Sequence, residues 1–279
     1  MRAGCWWMPA SVTSCDPMTN RPLAEDTTED EILGGRLRLR QPRRGHRVGH
    51  DAILLAAACP ARGGDKVVDL GAGVGAAGLA LAARVPDTAV TLVEIDPRLA
   101  ALAGENVRLN RMSERVHTAV LDVAAPARAF AMADLGAKSL GAESINRVMM
   151  NPPFNDPARQ RLSPDAARRL AHAAPRQRLA AWVKTAARLL RPRGTLTLIW
   201  RADGLPDVLA TIGPAFGGIA VLPVHPRAEM PAIRILVTAV KASRAPLRLL
   251  PPLMLADAAG HPTPAADAIL RDGAALSCV

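Results

Sequence analysis

Residues 149 to 154 read Met-Met-Asn-Pro-Pro-Phe: an apolar run, then a carboxamide, two prolines and an aromatic ring. The side-chain oxygen of Asn151 and the backbone carbonyl of Pro152 are two adjacent acceptors, enough to take both hydrogens of a planar amine. Pro152 and Pro153 fix their backbone dihedrals, so the carbonyl stays aimed with little entropy left to lose. Phe154 offers a face on which a flat ring can stack. Such faces are scarce, since the chain has no tyrosine and three phenylalanines. A proline-stiffened turn after a strand uses the same residue types, because Asn and Pro both favour turns.

A second stretch, Val-Val-Asp-Leu-Gly-Ala-Gly-Val-Gly (67 to 75), puts Gly71, Gly73 and Gly75 between a strand-like run and a helix-like one. Glycines there let the chain turn tightly and bring its backbone close to a ligand at the carboxyl edge of a sheet. Residues 71 to 76 also satisfy the dinucleotide fingerprint, and Glu94 follows at about the distance of a ribose-binding acid, so spacing alone is compatible with NAD. Asp69 shifts the balance. It closes the strand where a dinucleotide fold usually keeps an apolar residue, and a carboxylate there suits a cationic ligand.

The segment resembles the first motif of class I S-adenosylmethionine-dependent methyltransferases. The resemblance implies that Asp69 lies near the amino-acid moiety of the cofactor, often acting through water. It also implies that Glu94, in Val-Glu-Ile-Asp-Pro, accepts from the ribose hydroxyls and that Asp122, in Val-Leu-Asp-Val, meets the adenine amine. A helix cap or turn role would explain Asp122 and Glu94 without a ligand.

Methyl transfer gives the first stretch a task. The amine of a nucleobase is a poor nucleophile, because its lone pair is delocalised into the ring. Two acceptors orient the nitrogen and favour a more tetrahedral geometry as the bond forms, which is positioning and preorganisation rather than base catalysis. The protonated product can lose its proton to solvent, so no histidine base is required. Asn-Pro-Pro-Phe resembles the [Asn/Asp]-Pro-Pro-[Tyr/Phe] motif of amino-methyltransferases, which act on adenine, guanine, cytosine or a glutamine side chain.

Upstream, Arg-Val-Gly-His-Asp-Ala-Ile-Leu-Leu (47 to 55) is similar to the Lys-Val-Gly-Thr-Asp-x-x-Leu-Leu element of bacterial methyltransferases that modify an adenosine next to the anticodon of valine tRNA. Residues 224 to 241 are similar to that family's C-terminal strand region, so the likeness runs over roughly residues 34 to 250. Three positions depart from the pattern: Arg47 for lysine, His50 for threonine and Phe154 for tyrosine. The last is frequent in ribosomal RNA guanine methyltransferases. The resemblance implies methyl transfer from S-adenosylmethionine to an exocyclic base amine in RNA, with adenine-N6 in a tRNA first. Guanine-N2 in ribosomal RNA and glutamine-N5 in a protein are the alternatives. Asp51 carries over as a cofactor-pocket residue, or serves as an N-cap of the helix after it. From other classes, an NAD-dependent oxidoreductase and an inactive RNA-binding module stay open.

These residues need elements to hold them. Apolar runs predict strands at 66–70, 89–95, 115–121, 145–150, 194–200, 218–224 and 232–240, with helices at 75–84, 97–109, 163–172, 176–190 and 203–212 and one beginning near 49. The alternation predicts an α/β fold of the Rossmann-like class I methyltransferase type: a mostly parallel seven-stranded sheet with helices on both faces. Residues 124 to 144 read as a helix or loop insertion. The proline-rich but apolar tail should pack on the domain.

Residues 1 to 33 lack a sustained apolar period and are expected to be a disordered tail, with Met18 a candidate translation start. The domain proper is placed at 34 to 279 and opens with a basic hairpin over 36 to 48. The net charge of +10 suggests a polyanionic partner. Arg36, Arg38, Arg40, Arg43, Arg44 and Arg47, with the Arg-rich stretch 158 to 178, are the candidate RNA contacts, or a solvated basic face. The cysteines at 5, 15, 59 and 278 have no metal-like spacing, the six histidines are scattered, and no metal is expected. They read as free thiols in a reducing cytosol. No apolar run reaches the ~18 residues needed to cross a bilayer, so a soluble, cytoplasmic protein is expected. The sequence leaves the oligomeric state open.

Overall fold

The computed structural model describes residues 26–44, 47–133, 140–153 and 164–276, the side chains of 164–175 excepted. The chain enters through an antiparallel hairpin, β1 (Thr27–Ile32) and β2 (Leu37–Pro42). In β2 the period of two turns Leu37, Leu39 and Gln41 inward and Arg38 and Arg40 outward. The acidic strand β1 answers the basic one: Glu29 pairs with Arg38 at 3.1 Å and Arg40 at 3.3 Å. The disorder expected up to residue 33 therefore fails for 27 to 32. The hairpin lies at 27–42 rather than 36–48, because the strand's partner is the acidic stretch before it, not the turn after it.

Helix α1 (His50–Ala58) leads to β3 (Lys66–Leu70), α2 (Ala76–Arg84), β4 (Ala89–Glu94), α3 (Pro97–Leu109), β5 (Val116–Val120), the short α4 (Ala127–Ala131) and β6 (Ile145–Met150). Then come α5 (Pro164–Leu189), β7 (Leu190–Arg201), α6 (Leu205–Ile212), β8 (Phe216–His225), β9 (Arg234–Lys241), the two-residue strands β10 (Arg248–Leu249) and β11 (Leu253–Met254), and α7 (Pro264–Leu270). Strand order across the sheet is β10-β8-β9-β7-β6-β3-β4-β5, with β11 also on β8. β3 to β7 pair in parallel, while β9 runs antiparallel to both neighbours. The seven long strands match the expected sheet, and β10 and β11 extend it from the tail.

Alternate residues of each strand feed two cores. Val67, Leu92, Met149, Ile199 and Leu236 pack under α1, α2, α3 and the hairpin, whereas Val68, Val93, Val148, Leu198 and Val237 pack under α5 and α6. A sheet covered on both faces leaves no strand position for water, which is why these strands read as unbroken apolar runs. The two helices expected at 163–172 and 176–190 are one, α5, which runs through Pro175 despite the hydrogen bond that a proline forgoes. Of the insertion at 124–144, α4 buries Phe130 with the Arg188 guanidinium 4.9 Å from its ring centre. The tail packs as expected, through Leu253, Ala266 and Ile269. Among the described residues no helix is long and apolar enough to cross a membrane.

Candidate active site

Strand register sets the site. Leu70 pairs with Met150 on one side and Val93 on the other, and Glu94 pairs with Val120. The residues that follow therefore leave the carboxyl edge in a row: Asn151 after β6, Gly71 after β3, Glu94 ending β4 and Asp122 just past β5. Two hydrogen bonds from Gly71 and Ala72 to the Val93 carbonyl, 2.8 and 2.9 Å, hold the glycine turn against β4. Leu121 donates to the Glu94 carbonyl at 2.9 Å and ties β5 to the same line.

Gly71, Gly73 and Gly75 all adopt the left-handed region, with φ of 69°, 57° and 89°. Their surroundings differ. A Cβ on Gly71 would come 2.3 Å from Cη2 of Trp182 in α5, and one on Gly75 2.9 Å from Leu92, but one on Gly73 would meet nothing within 4 Å. Gly73 thus faces the open side, where a ligand can lie on the backbone.

Glu94 is buried, and its carboxylate accepts from Gly73 N at 2.7 Å and from Ile95 N and Asp96 N at 2.9 Å. About four lone-pair sites serve a carboxylate, so one is left for a ligand hydroxyl. Asp122 is exposed and caps its own turn through Ala124 N at 2.8 Å. Asp69 is buried and accepts from Gly78 N, in the first turn of α2, at 2.9 Å, satisfying a donor that a helix N-terminus leaves unpaired.

Burial pushes the Asp69 carboxyl up to about 7 from 3.8; the Gly78 N–H opposes this and the Glu94 charge adds to it. With the folded value raised, its contribution to stability is present below 3.8 and lost as pH rises through about 7. Ligand-free protein should lose on the order of 1 kcal/mol per pH unit approaching neutrality. Asp69→Asn, which keeps an acceptor for Gly78, should flatten the profile in thermal melts. Identical profiles would assign the response to other groups.

Asn151 is half-buried at the end of β6, Pro152 is buried and Pro153 exposed. No hydrogen bond to the Asn151 carboxamide is found among the described residues. Arg178 of α5 reaches the Pro153 carbonyl at 3.4 Å, leaving the Pro152 carbonyl to other donors. Phe154 lies outside the described residues, as do 158–163 and the side chains of 164–175 in the basic stretch 158 to 178.

Asp51 does not cap α1, whose N-cap is Gly49; its carboxylate holds Arg234 of β9 at 2.9 Å, at the same sheet edge as Asn151. The hairpin arginines are mostly engaged. Arg36 donates to the Asp272 carbonyl, Arg38 and Arg40 pair with Glu29, and Arg47 pairs with Asp30 at 2.7 Å. Arg43 and Arg44 are exposed just past the end of β2. Among the described residues no group of histidines, cysteines and acids could hold a metal. Cys59 is buried, and desolvation pushes its thiol up to about 12; the other three cysteines lie outside the described residues.

Sequence reasoning missed Gly78, Trp182 and Ile95. A Cβ on Gly78 would stand 2.3 Å from Leu92, and Ile95, 59% exposed, sets an apolar surface beside Glu94. Apolar bulk directly after Glu94 was the available signal for Ile95; the other two show only through contacts between distant segments.

A family model described as methyltransferase small domain matches residues 46–222. The chain is 30% identical over 160 residues to the tRNA1(Val) (adenine(37)-N6)-methyltransferase of Tolumonas auensis, covering 57% of this chain and 61% of that one. It is 31% identical over 167 residues to the protein of the same name from Porphyromonas gingivalis, covering 58% and 61%. The chain thus spans less than two thirds of the length of either relative. Among solved structures, protein Atu636 of Agrobacterium tumefaciens, described as a "predicted O-methyltransferase", is 32% identical with a TM-score of 0.67, covering 81% of this chain and 98% of that one.

Proposed function

The chain belongs to the methyltransferase small domain family, S-adenosylmethionine-dependent enzymes, and we propose that it transfers a methyl group to the exocyclic amine of a nucleobase in RNA, adenine-N6 in a tRNA. The observation that carries this reading is the exit of Asn151 and Pro152 from the sheet beside the Gly71 turn, with the Asn151 carboxamide uncommitted among the described residues. The names of the Tolumonas and Porphyromonas relatives support the choice of base and RNA.

The residues present suit the cofactor. Gly73 faces open space where a side chain would stand, Glu94 keeps a lone pair for a ribose hydroxyl, Ile95 offers a face for a purine, and Asp69, raised to about 7 by burial, gains its negative charge more readily when a cationic group lies above it. Bound S-adenosylmethionine supplies a methyl group on a sulfonium, a good leaving group. Asn151 Oδ1 and the Pro152 carbonyl each accept one N–H of the base amine and turn its lone pair toward that carbon. As the N–C bond forms, positive charge grows on nitrogen, and both acceptors then bind more strongly than in the ground state. The extra proton leaves to water. Asp122 would meet the adenine of the cofactor and Phe154 would give the substrate base a ring to stack on, while Asp51 would act on the pocket through Arg234.

The name of the Agrobacterium relative points to oxygen as acceptor. A hydroxyl must lose its proton to become a good nucleophile, and a carboxamide is no base, so the site favours an amine. Deletion of the gene in its host should remove N6-methyladenosine from the tRNA pool, and wild-type but not Asn151→Ala enzyme should restore it. Loss of N2-methylguanosine from ribosomal RNA, or of N5-methylglutamine from a protein, would reassign the substrate.

For RNA contact, Arg43 and Arg44 lead, with Arg47, Arg40 and Arg38 reached by exchange of surface ion pairs worth at most ~1 kcal/mol. Replacing Arg43 and Arg44 by glutamine should weaken tRNA binding and reduce the slope of log K against log salt by between about one and two. An unchanged slope would make the turn a solvated face.

A further inference from the structure

Two asparagines one turn apart, Asn106 in α3 and Asn110 capping its C-terminus, treat β2 as a neighbouring strand would. Asn110 accepts from Arg38 N at 3.0 Å and donates to Arg38 O at 2.7 Å; Asn106 accepts from Arg40 N at 2.7 Å and donates to Arg40 O at 2.9 Å. The β2 edge not paired with β1 is thereby satisfied by carboxamides. Asn106 goes further. Fully buried, it spends its second N–H on the carbonyl of Val74, inside the glycine turn, at 2.9 Å. One planar amide thus touches both the hairpin and the loop between Gly73 and Gly75, and neither segment can shift without breaking a buried hydrogen bond.

We propose that Asn106 is a positioning residue that couples docking of the β1–β2 hairpin to the conformation of the cofactor loop, so that cofactor binding also fixes the hairpin bearing Arg43 and Arg44. The inference rests on the reading of the glycine turn as the S-adenosylmethionine site. Asn110 provides the internal control, since it anchors the same strand without touching the loop.

The test combines hydrogen exchange and calorimetry on the full chain with S-adenosylhomocysteine. In wild-type protein, saturation should slow exchange of the amides of 27 to 42 by roughly tenfold or more, the scale of one buried hydrogen bond. Asn106→Ala should weaken S-adenosylhomocysteine binding about tenfold and abolish the hairpin protection, raising KM for S-adenosylmethionine with kcat nearly kept. Asn110→Ala should loosen the hairpin but leave affinity within about twofold. Binding to wild type without hairpin protection overturns the coupling even if Asn106→Ala does not fold, as does an equal loss of affinity in both variants. Absence of any binding to wild type overturns the cofactor reading, and the coupling with it.

Discussion

Asn151→Ala should cut methyl transfer at least ~100-fold with cofactor affinity nearly unchanged, because the lost acceptor matters most when charge develops on the amine. Truncation removes one of two acceptors and leaves the amine free to rotate its lone pair away from the sulfonium carbon. Asn151→Asp keeps an acceptor oxygen and should retain more activity than alanine. Single-turnover kinetics with excess enzyme separate this from slow product release, and calorimetry with S-adenosylhomocysteine checks that the site is intact. Turnover equal to wild type would end the amine-acceptor role.

The second large effect falls on stability. Gly71→Ala forces a side chain into the left-handed region and drives its Cβ to 2.3 Å from the Trp182 ring. Backbone strain of ~1–2 kcal/mol and overpacking of ~1–3 kcal/mol predict a loss of roughly 3–4 kcal/mol, a fall in Tm on the order of 10 °C. Trp182→Leu vacates the space, so Gly71→Ala in that background should cost only the backbone part. Thermal melts of the four proteins give the coupling directly. Equal costs in both backgrounds would mean that the indole does not confine the turn.

Most of the frame was readable because sheet burial writes itself into composition. Strands covered on both faces must be apolar throughout, and α3 came out at its residues because Asp96 and Pro97 start it and Asn110 follows its end. The line of Asn151, Gly71, Glu94 and Asp122 was readable for the same reason: each follows an apolar run. β1 was not, since Thr-Thr-Glu-Asp-Glu-Ile has no apolar period and becomes a strand through charge opposite β2. The ion pairs of Arg38 and Arg40 with Glu29 were hidden with it. Asn106 and Trp182 are equally silent in sequence, because their roles lie in contacts across 66 and 111 positions of chain, to Arg40 and Gly71.

The central claim is methyl transfer to a base amine, and one incubation tests it most directly. Protein, isotopically labelled S-adenosylmethionine and hypomethylated total RNA are combined, the RNA is digested, and labelled nucleosides are identified by mass spectrometry. Label in N6-methyladenosine, absent with Asn151→Ala, is the predicted result. Label on a ribose or base oxygen, or no label in any RNA nucleoside, would contradict it.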